Sequence, residues 1–376
     1  MVESVLLAGG GTAGHVNPLL AVADELRHRD DRTGIVVLGT AEGLEADLVP
    51  AHGYELVTVP RVPFPRRPTA DWFRFPSRLR DAVDAADAAI ETSGARVVVG
   101  FGGYVATPAY LAARRRGVPV VVHEQNARPG LANRLGARWA AAVAVTFPGT
   151  PLRNAQVTGL PLRPDVLALA EGRAADPVGE RERAAAELGL DPDLPTLLVT
   201  GGSLGARSLN EAVSGAAADL LRAGVQVLHL TGRDKAEPVR AAVAQAARAG
   251  LTAQAGRYQV REYLTRMHLA LAVADLVVAR AGAGTVSELA ALGIPAVYVP
   301  LPIGNGEQRL NARPVVDAGG GLLVADAEMT ADRVRDDVLP LVTDAGRLAE
   351  MAQAAASVGV VDAAARVADL IEDVAT

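Results

Sequence analysis

Residues 4–26, "SVLLAGGGTAGHVNPLLAVADEL", and residues 196–220, "TLLVTGGSLGARSLNEAVSGAAADL", open two halves of one chain in the same way. Each passes from a short apolar strand through a glycine turn into a stretch with helical spacing, the first step of a βα unit. Further apolar runs follow each opening. After the first come "GIVVLG" (34–39), "ARVVVGF" (95–101) and "VPVVVHE" (118–124); after the second, "VQVLHLTG" (225–232), "ADLVVARAG" (274–282) and "IPAVYVPL" (294–301). Ala-rich helical stretches separate them, and such alternation predicts parallel sheets covered by helices on both faces. The rhythm breaks over residues 160–195, where "LPLRPDV", the charged stretch "GERERAAAELGL" and the loop "DPDLP" intervene. The sequence thus reads as α/β, with two Rossmann-like doubly wound domains facing a cleft and a junction in that interval. Ligands of such sheets lie beyond the carboxyl ends of the strands, so the glycine turns are expected to line the cleft.

Bulk properties agree. At 376 residues the chain is long for one core, and half of it is hydrophobic, enough for two. A net charge of −6 argues against a general nucleic-acid binder, since no basic excess is there to displace phosphate counterions. With no cysteine, disulfides, thiolate metal sites and cysteine nucleophiles all drop out. The start "MVES" lacks the basic segment of a secretory leader, and no apolar run reaches the ~20 residues of a membrane span. A cytosolic location is the expectation.

The first glycine turn contains Gly9-x-Gly11-x-x-Gly14. A dinucleotide site would need a carboxylate at the end of the second strand. Here that strand ends Leu38-Gly39-Thr40, and Asp30 and Asp31 precede it. No Gly-Lys-Ser/Thr follows, so it is no Walker loop. There remains a turn feeding a helix expected to start near Pro18 with Asn17 as its cap, suited to an anionic or polar group. His15, between the two, is an ordinary loop histidine or a general base working near neutral pH, and its placement favours the base. In the second turn, Ser203 and the amides of Gly202 to Gly205 could hold a diphosphate at a helix N-terminus, or could be a plain strand-to-helix turn. In "ARAGAGTVSELAALGIP", Thr285 and Glu288 have capping-box spacing. Glu288 either bonds back to the Thr285 amide or accepts the two hydroxyls of a ribose.

His123, Glu124, Gln125 and Asn126 are expected just past a strand end, and Gly304 to Gln308 form a polar loop after another. Residues 61–80, "RVPFPRRPTADWFRFPSRLR", reverse the charge of the rest: Phe64, Trp72, Phe73 and Phe75 interleave with Arg61, Arg66, Arg67, Arg74, Arg78 and Arg80. Rings that enter a headgroup zone and arginines that pair with lipid phosphate make a monotopic membrane patch; a packing loop or a lid is the alternative. Asp191-Pro-Asp193 matches the Asp-x-Asp of metal-dependent transferases but lies before a strand, where a proline turn accounts for it. No metal site is expected.

Taken together, "GGGTAGHVNP", "GFGGYVATPAYLA", "HEQNARPGLANR", "GGSLGARSLN", "RAGAGTVSELAALGIPAVYVPLPIGNGEQRLNA" and "DAGGG" resemble the MurG family of peptidoglycan N-acetylglucosaminyltransferases, in its actinobacterial form. The resemblance runs in order along nearly the whole chain. It implies the two-domain GT-B fold, with an N-terminal acceptor- and membrane-facing domain (1–163), a C-terminal UDP-GlcNAc domain (164–359) and a last helix (360–376) crossing back. It further implies inverting transfer of GlcNAc from UDP-GlcNAc to the muramyl 4-hydroxyl of undecaprenyl-diphosphate-MurNAc-pentapeptide, from lipid I to lipid II, with no metal and no cofactor. The protein would lie peripherally on the cytoplasmic face of the cell membrane, against an anionic surface, with no nucleic-acid partner. By the same resemblance Thr12, Ala13, Gly14, Asn126, Arg163, Ser203, Leu264 through its backbone, Ala283, Gly284, Thr285, Val286, Ser287, Glu288 and Gln308 meet the donor, which assigns Glu288 to the ribose. Gly11, Tyr104 and His123 would face the acceptor, and His15 would be the base, with Glu124 as its rival. Arg280 or Arg163 would relieve the departing diphosphate. Leu204 and Glu307 stand where many members carry Gln, and Gly284 where a larger apolar residue is usual.

Overall fold

The structure, a computed structural model, describes residues 2–62 and 71–375, and of residues 71–73 and 249 the backbone alone. Strands β1 (Ser4–Gly9), β2 (Gly34–Gly39), β3 (Glu55–Thr58), β4 (Val97–Gly102), β5 (Val120–Glu124), β6 (Ala142–Val145) and β7 (Ala155–Val157) form one parallel sheet in the order β3-β2-β1-β4-β5-β6-β7. A second parallel sheet runs β10-β9-β8-β11-β12-β13, from β8 (Thr196–Thr200), β9 (Gln226–Leu230), β10 (Tyr258–Arg261), β11 (Leu276–Ala279), β12 (Ala296–Tyr298) and β13 (Gly321–Leu323). In both, the order reverses beside the first strand: β1 pairs with β2 on one side and β4 on the other, and β8 with β9 and β11. Loops leaving the two central strands diverge there and open a crevice beyond their carboxyl ends.

Alternation along β1 explains the first core. Val5 and Leu7 point to one face with Leu19, Val22 and Leu26 of the helix Ala13–Arg29; Leu6 and Ala8 point to the other, with Ile90, Ala109 and Tyr110. Contacts divide the chain into Met1–Arg163 with Val360–Thr376, and Pro164–Gly359. The helix Ala363–Ala375 returns to the first unit: Val367, Ala368 and Ile371 join the Val5 face, and Arg29 bonds Asp369 at 2.7 Å, Glu372 at 3.0 Å and the Ala365 carbonyl at 2.9 Å. In the second unit Leu197, Val199, Leu209, Val213, Val227 and Val278 centre the core.

One helix start differs from the sequence reading. The first helix begins at Ala13, not near Pro18: the Thr12 carbonyl accepts from both His15 N (3.0 Å) and Val16 N (3.1 Å), closing a turn ahead of Asn17. Pro18 is therefore inside the helix, and His15 stands in its first turn instead of in a loop. In the second unit Gly282 caps the helix Ala283–Ala291, so Thr285, one of whose two readings made it a cap, lies in the helix's first turn.

Candidate active site

The first glycine turn is held from behind. Glu45, fully buried, accepts the Gly11 amide at 2.8 Å through Oε2, and the Thr40 amide and hydroxyl at 2.9 and 2.7 Å through Oε1. A Cβ on Gly10 would lie 2.3 Å from that carboxylate, and one on Gly103 would lie 2.5 Å from the Gly10 carbonyl. Glycine at both places lets the turns after β1 and β4 meet backbone to backbone. A carboxylate after β2 thus exists, but it grips the protein's own turn. Thr12, Ala13 and Gly14 are exposed at the helix start.

His15 projects from that start, and an added Cβ on Gly102 would come within 3.2 Å of its Cε1, so the ring lies over the end of β4. Nδ1 is 3.0 Å from Gln125 Oε1. Burial pushes the His15 pKa below its usual 6.5, and Gln125, Glu124, the Phe101 carbonyl and Glu45 offset this only in part. The imidazole is neutral at pH 7, as a general base must be.

His123 and Glu124 are the last two residues of β5, not residues beyond it. His123 is fully buried, with Nε2 3.1 Å from the Gly159 carbonyl and Nδ1 3.1 Å from Gln125 Nε2; its pKa is pushed down to about 4 by burial. With both nitrogens engaged it meets no acceptor directly, which corrects the expectation for this residue. Glu124 is also buried and filled: Oε1 accepts the Asn126 amide at 2.9 Å, and Oε2 accepts the Gly130 amide at 3.0 Å and Asn133 Nδ2 at 2.9 Å. Three donors spread over the 126–133 segment give it the work of shaping that loop. Asn133, itself bonded by the Tyr110 hydroxyl at 2.7 Å, was not singled out from sequence. Tyr104 is 39% exposed, with the Arg61 guanidinium 5.1 Å from its ring centre.

In the second unit the turn after β8 is built on two close approaches. A Cβ on Gly201 would stand 2.1 Å from the Ala206 nitrogen, and one on Gly205 (φ +66°) 1.9 Å from the Thr231 carbonyl. Gly205 N closes onto Gly202 O at 2.9 Å, which leaves Ser203 and Leu204 at an exposed tip, and Lys235 Nζ holds the Leu204 carbonyl at 2.6 Å. Across the switch point, the helix Ala283–Ala291 begins directly after β11, with Ala283, Gly284, Thr285, Ser287 and Glu288 half-buried and Val286 in the core. Arg280 is not free for a diphosphate: it pairs with Asp326 at 2.6 Å and bonds the Val299 and Pro300 carbonyls at 3.0 and 3.1 Å. Gln308 accepts the Leu301 amide at 2.9 Å and so shapes the preceding loop. Leu264 follows β10 in a loop; Asn126 and Arg163 are half-buried in the first unit.

Among the described residues no group of His, Asp or Glu is arranged to hold a metal ion, and no helix is long and apolar enough to cross a membrane. Asp191 Oδ1 accepts the Asp193 amide at 3.0 Å, a local turn before β8. Of the basic aromatic stretch, Phe64, Arg66 and Arg67 lie outside the described residues, as do the side chains of Trp72 and Phe73; Arg74 is exposed and Phe75 half-buried on the helix Asp71–Ser93.

Two Rossmann-like units, each with a glycine turn at its switch point, make up the architecture of GT-B glycosyltransferases. The chain belongs to glycosyltransferase family 28: the N-terminal domain of that family matches residues 5–145 and the C-terminal domain residues 196–367. It is 58% identical, over 98% of its length and 95% of the relative's, to the UDP-N-acetylglucosamine--N-acetylmuramyl-(pentapeptide) pyrophosphoryl-undecaprenol N-acetylglucosamine transferase of Clavibacter michiganensis. It is 54% identical to the transferase of the same name from Frankia casuarinae, over 100% and 96% of the two chains. Among solved structures, MurG of Acinetobacter baumannii superposes with a TM-score of 0.79 at 30% identity, covering 99% of both chains. The UDP-GlcNAc 2-epimerase of Neisseria meningitidis, at 14% identity and a TM-score of 0.68, shares the fold.

Proposed function

We propose that this chain transfers N-acetylglucosamine from UDP-GlcNAc to the muramyl 4-hydroxyl of undecaprenyl-diphosphate-MurNAc-pentapeptide, inverting the sugar's anomeric centre and making lipid II from lipid I. The observation that carries this reading is the similarity, above half identity and nearly end to end, to transferases named for that reaction. The geometry supplies the chemistry. The acceptor oxygen attacks C1 of the GlcNAc, the C1–O bond to UDP breaks, and its electron pair leaves with the diphosphate. The hydroxyl proton passes to Nε2 of His15, whose Nδ1 is occupied by Gln125.

The donor belongs to the second unit. Its diphosphate suits the exposed tip at Ser203 and Leu204 ahead of the helix Arg207–Gly215, where Gly202 N and Gly205 N are already bonded to Thr200 Oγ1 and the Gly202 carbonyl, and its ribose suits Glu288. Fixed amide dipoles aimed at the leaving group do the work a divalent cation does elsewhere, so the reaction is expected to run in EDTA. The acceptor's lipid carrier calls for a membrane surface, and exposed Arg61, Arg74, Arg78 and Arg80, which interleave in sequence with Phe64, Trp72, Phe73 and Phe75, fit an anionic one. Hydrogen–deuterium exchange with UDP-GlcNAc tests the donor assignment. Protection is expected in peptides spanning 200–206, 262–266 and 282–289; protection centred on residues 9–15 instead would overturn it.

A further inference from the structure

Four groups stand in line between His15 and the point where the chain crosses between the two units. Gln125 Oε1 is 3.0 Å from His15 Nδ1; Gln125 Nε2 is 3.1 Å from both Nδ1 and the carbonyl of His123; His123 Nε2 is 3.1 Å from the Gly159 carbonyl. Two of these partners are backbone carbonyls, which only accept. The Gly159 carbonyl requires the His123 proton on Nε2, leaving a lone pair on Nδ1. The His123 carbonyl requires the amino end of Gln125 to face it, and the second hydrogen of that amino group is the one His123 Nδ1 accepts. The carbonyl end of Gln125 is thereby turned to His15, so His15 carries its proton on Nδ1 and its lone pair on Nε2. With His15 neutral, no other distribution of protons satisfies all four contacts.

We propose that Gln125 and His123 are positioning residues that fix the tautomer of the His15 base, delivering its lone pair at Nε2 toward the reacting hydroxyl. This rests on the reading of His15 as the base. Both residues are 2% exposed or less, so neither is placed to touch substrate. Their anchor is set by the fold: Gly159 has φ +83°, and a Cβ there would lie 2.7 Å from Val360, the first residue of the returning segment. The relay therefore starts from backbone clamped at the return crossing. The titratable groups acting on His15 are Glu124 and His123 from β5 and Glu45 from behind the first glycine turn.

The test uses the full chain labelled with 15N-histidine, its six histidine rings assigned by single substitutions. Long-range proton–nitrogen spectra at pH 7 are expected to show His15 protonated on Nδ1 and His123 on Nε2. His15 protonated on Nε2, or an even mixture, overturns the proposal. Two variants add a kinetic signature. Gln125→Glu keeps an acceptor for His15 but adds negative charge, so the His15 pKa rises and the acid limb of kcat moves to higher pH. Gln125→Met removes the acceptor, so the limb moves to lower pH and kcat falls about tenfold, with KM for UDP-GlcNAc unchanged. Limbs moving in the same direction, or a loss confined to KM, would make Gln125 merely structural. Full turnover in His15→Ala would remove the base reading while leaving the spectroscopic result to stand alone, so the two failures are distinguishable.

Discussion

Glu45 Oε2 and the backbone nitrogen of Gly11 are 2.8 Å apart, and this bond decides what the first glycine turn can be. An amide that would face a phosphate in a dinucleotide site is turned instead onto a buried carboxylate of the protein itself. Burial alone would raise the Glu45 carboxyl, but the Gly11 amide and the Thr40 hydroxyl and amide outweigh it and hold the pKa below its usual 4.5. The folded value is the depressed one. Glu45 therefore stabilises the protein above the unfolded value, and that contribution is lost as pH falls through the folded one. Glu45→Gln should cost about 1–3 kcal/mol at pH 7, since the amide offers a donor where Gly11 and Thr40 also donate. Thermal unfolding across pH 3–7 checks this; a variant as stable as the parent at pH 7 would contradict it.

His15→Ala should lower kcat by about 10²–10⁴-fold and leave UDP affinity intact. In the parent enzyme the acid limb of kcat/KM should have its midpoint below 6.5, because burial lowers the His15 pKa and the base works only when neutral. Glu124→Gln should lower stability, through the Asn126, Gly130 and Asn133 donors, far more than it lowers turnover. If Glu124→Gln abolishes turnover as His15→Ala does while the protein stays folded, Glu124 takes the base's role.

Two glycines in the segments proposed to meet the donor should respond in opposite ways. Gly205→Ala places a methyl 1.9 Å from the Thr231 carbonyl at φ +66°, and should cost about 1–3 kcal/mol and weaken UDP binding. Gly284 is helical with no atom within 4 Å of an added Cβ, and Gly284→Ala should be neutral or stabilising by about 0.5–1 kcal/mol. Calorimetry with and without UDP separates them, and equal effects would count against the geometry of the second turn.

Replacing Trp72, Phe73 and Phe75 with Ser should weaken sedimentation with vesicles containing anionic lipid and spare activity on a short-chain soluble acceptor. Undiminished vesicle binding would place the membrane contact elsewhere.

The twin openings and the apolar runs made eight strands and two doubly wound units legible in the sequence, because strands buried on both faces read as continuous Val, Ile and Leu. Strands β3, β7, β10 and β13 were missed for the converse reason: they are edge strands of three or four residues, such as "ELVT" and "YQVR", held by a ladder on one side only. The four-residue β6 was hidden in an Ala-rich run. At the site, His15 could be read from its place after the glycines. Glu45 could not: it opens the unremarkable short helix Glu45–Ala51 and acts on a turn 34 residues away in sequence. Nor could the burial of His123 and Glu124, since polar residues at a strand end look like ligand contacts until the loop 126–133 is seen to supply the partners of Glu124, and Gln125 and the Gly159 carbonyl those of the His123 ring. The helix start was misread because Asn-Pro is a strong local signal, overridden here by the turn that Thr12 closes.

The most direct test of the account is a single reaction: purified protein, UDP-GlcNAc and a lipid I analogue, in EDTA, with the product's anomeric linkage read by NMR. The account predicts a β-linked GlcNAc–MurNAc disaccharide, made only when acceptor is present. An α linkage, a strict need for metal, or donor epimerised in the absence of acceptor would contradict it.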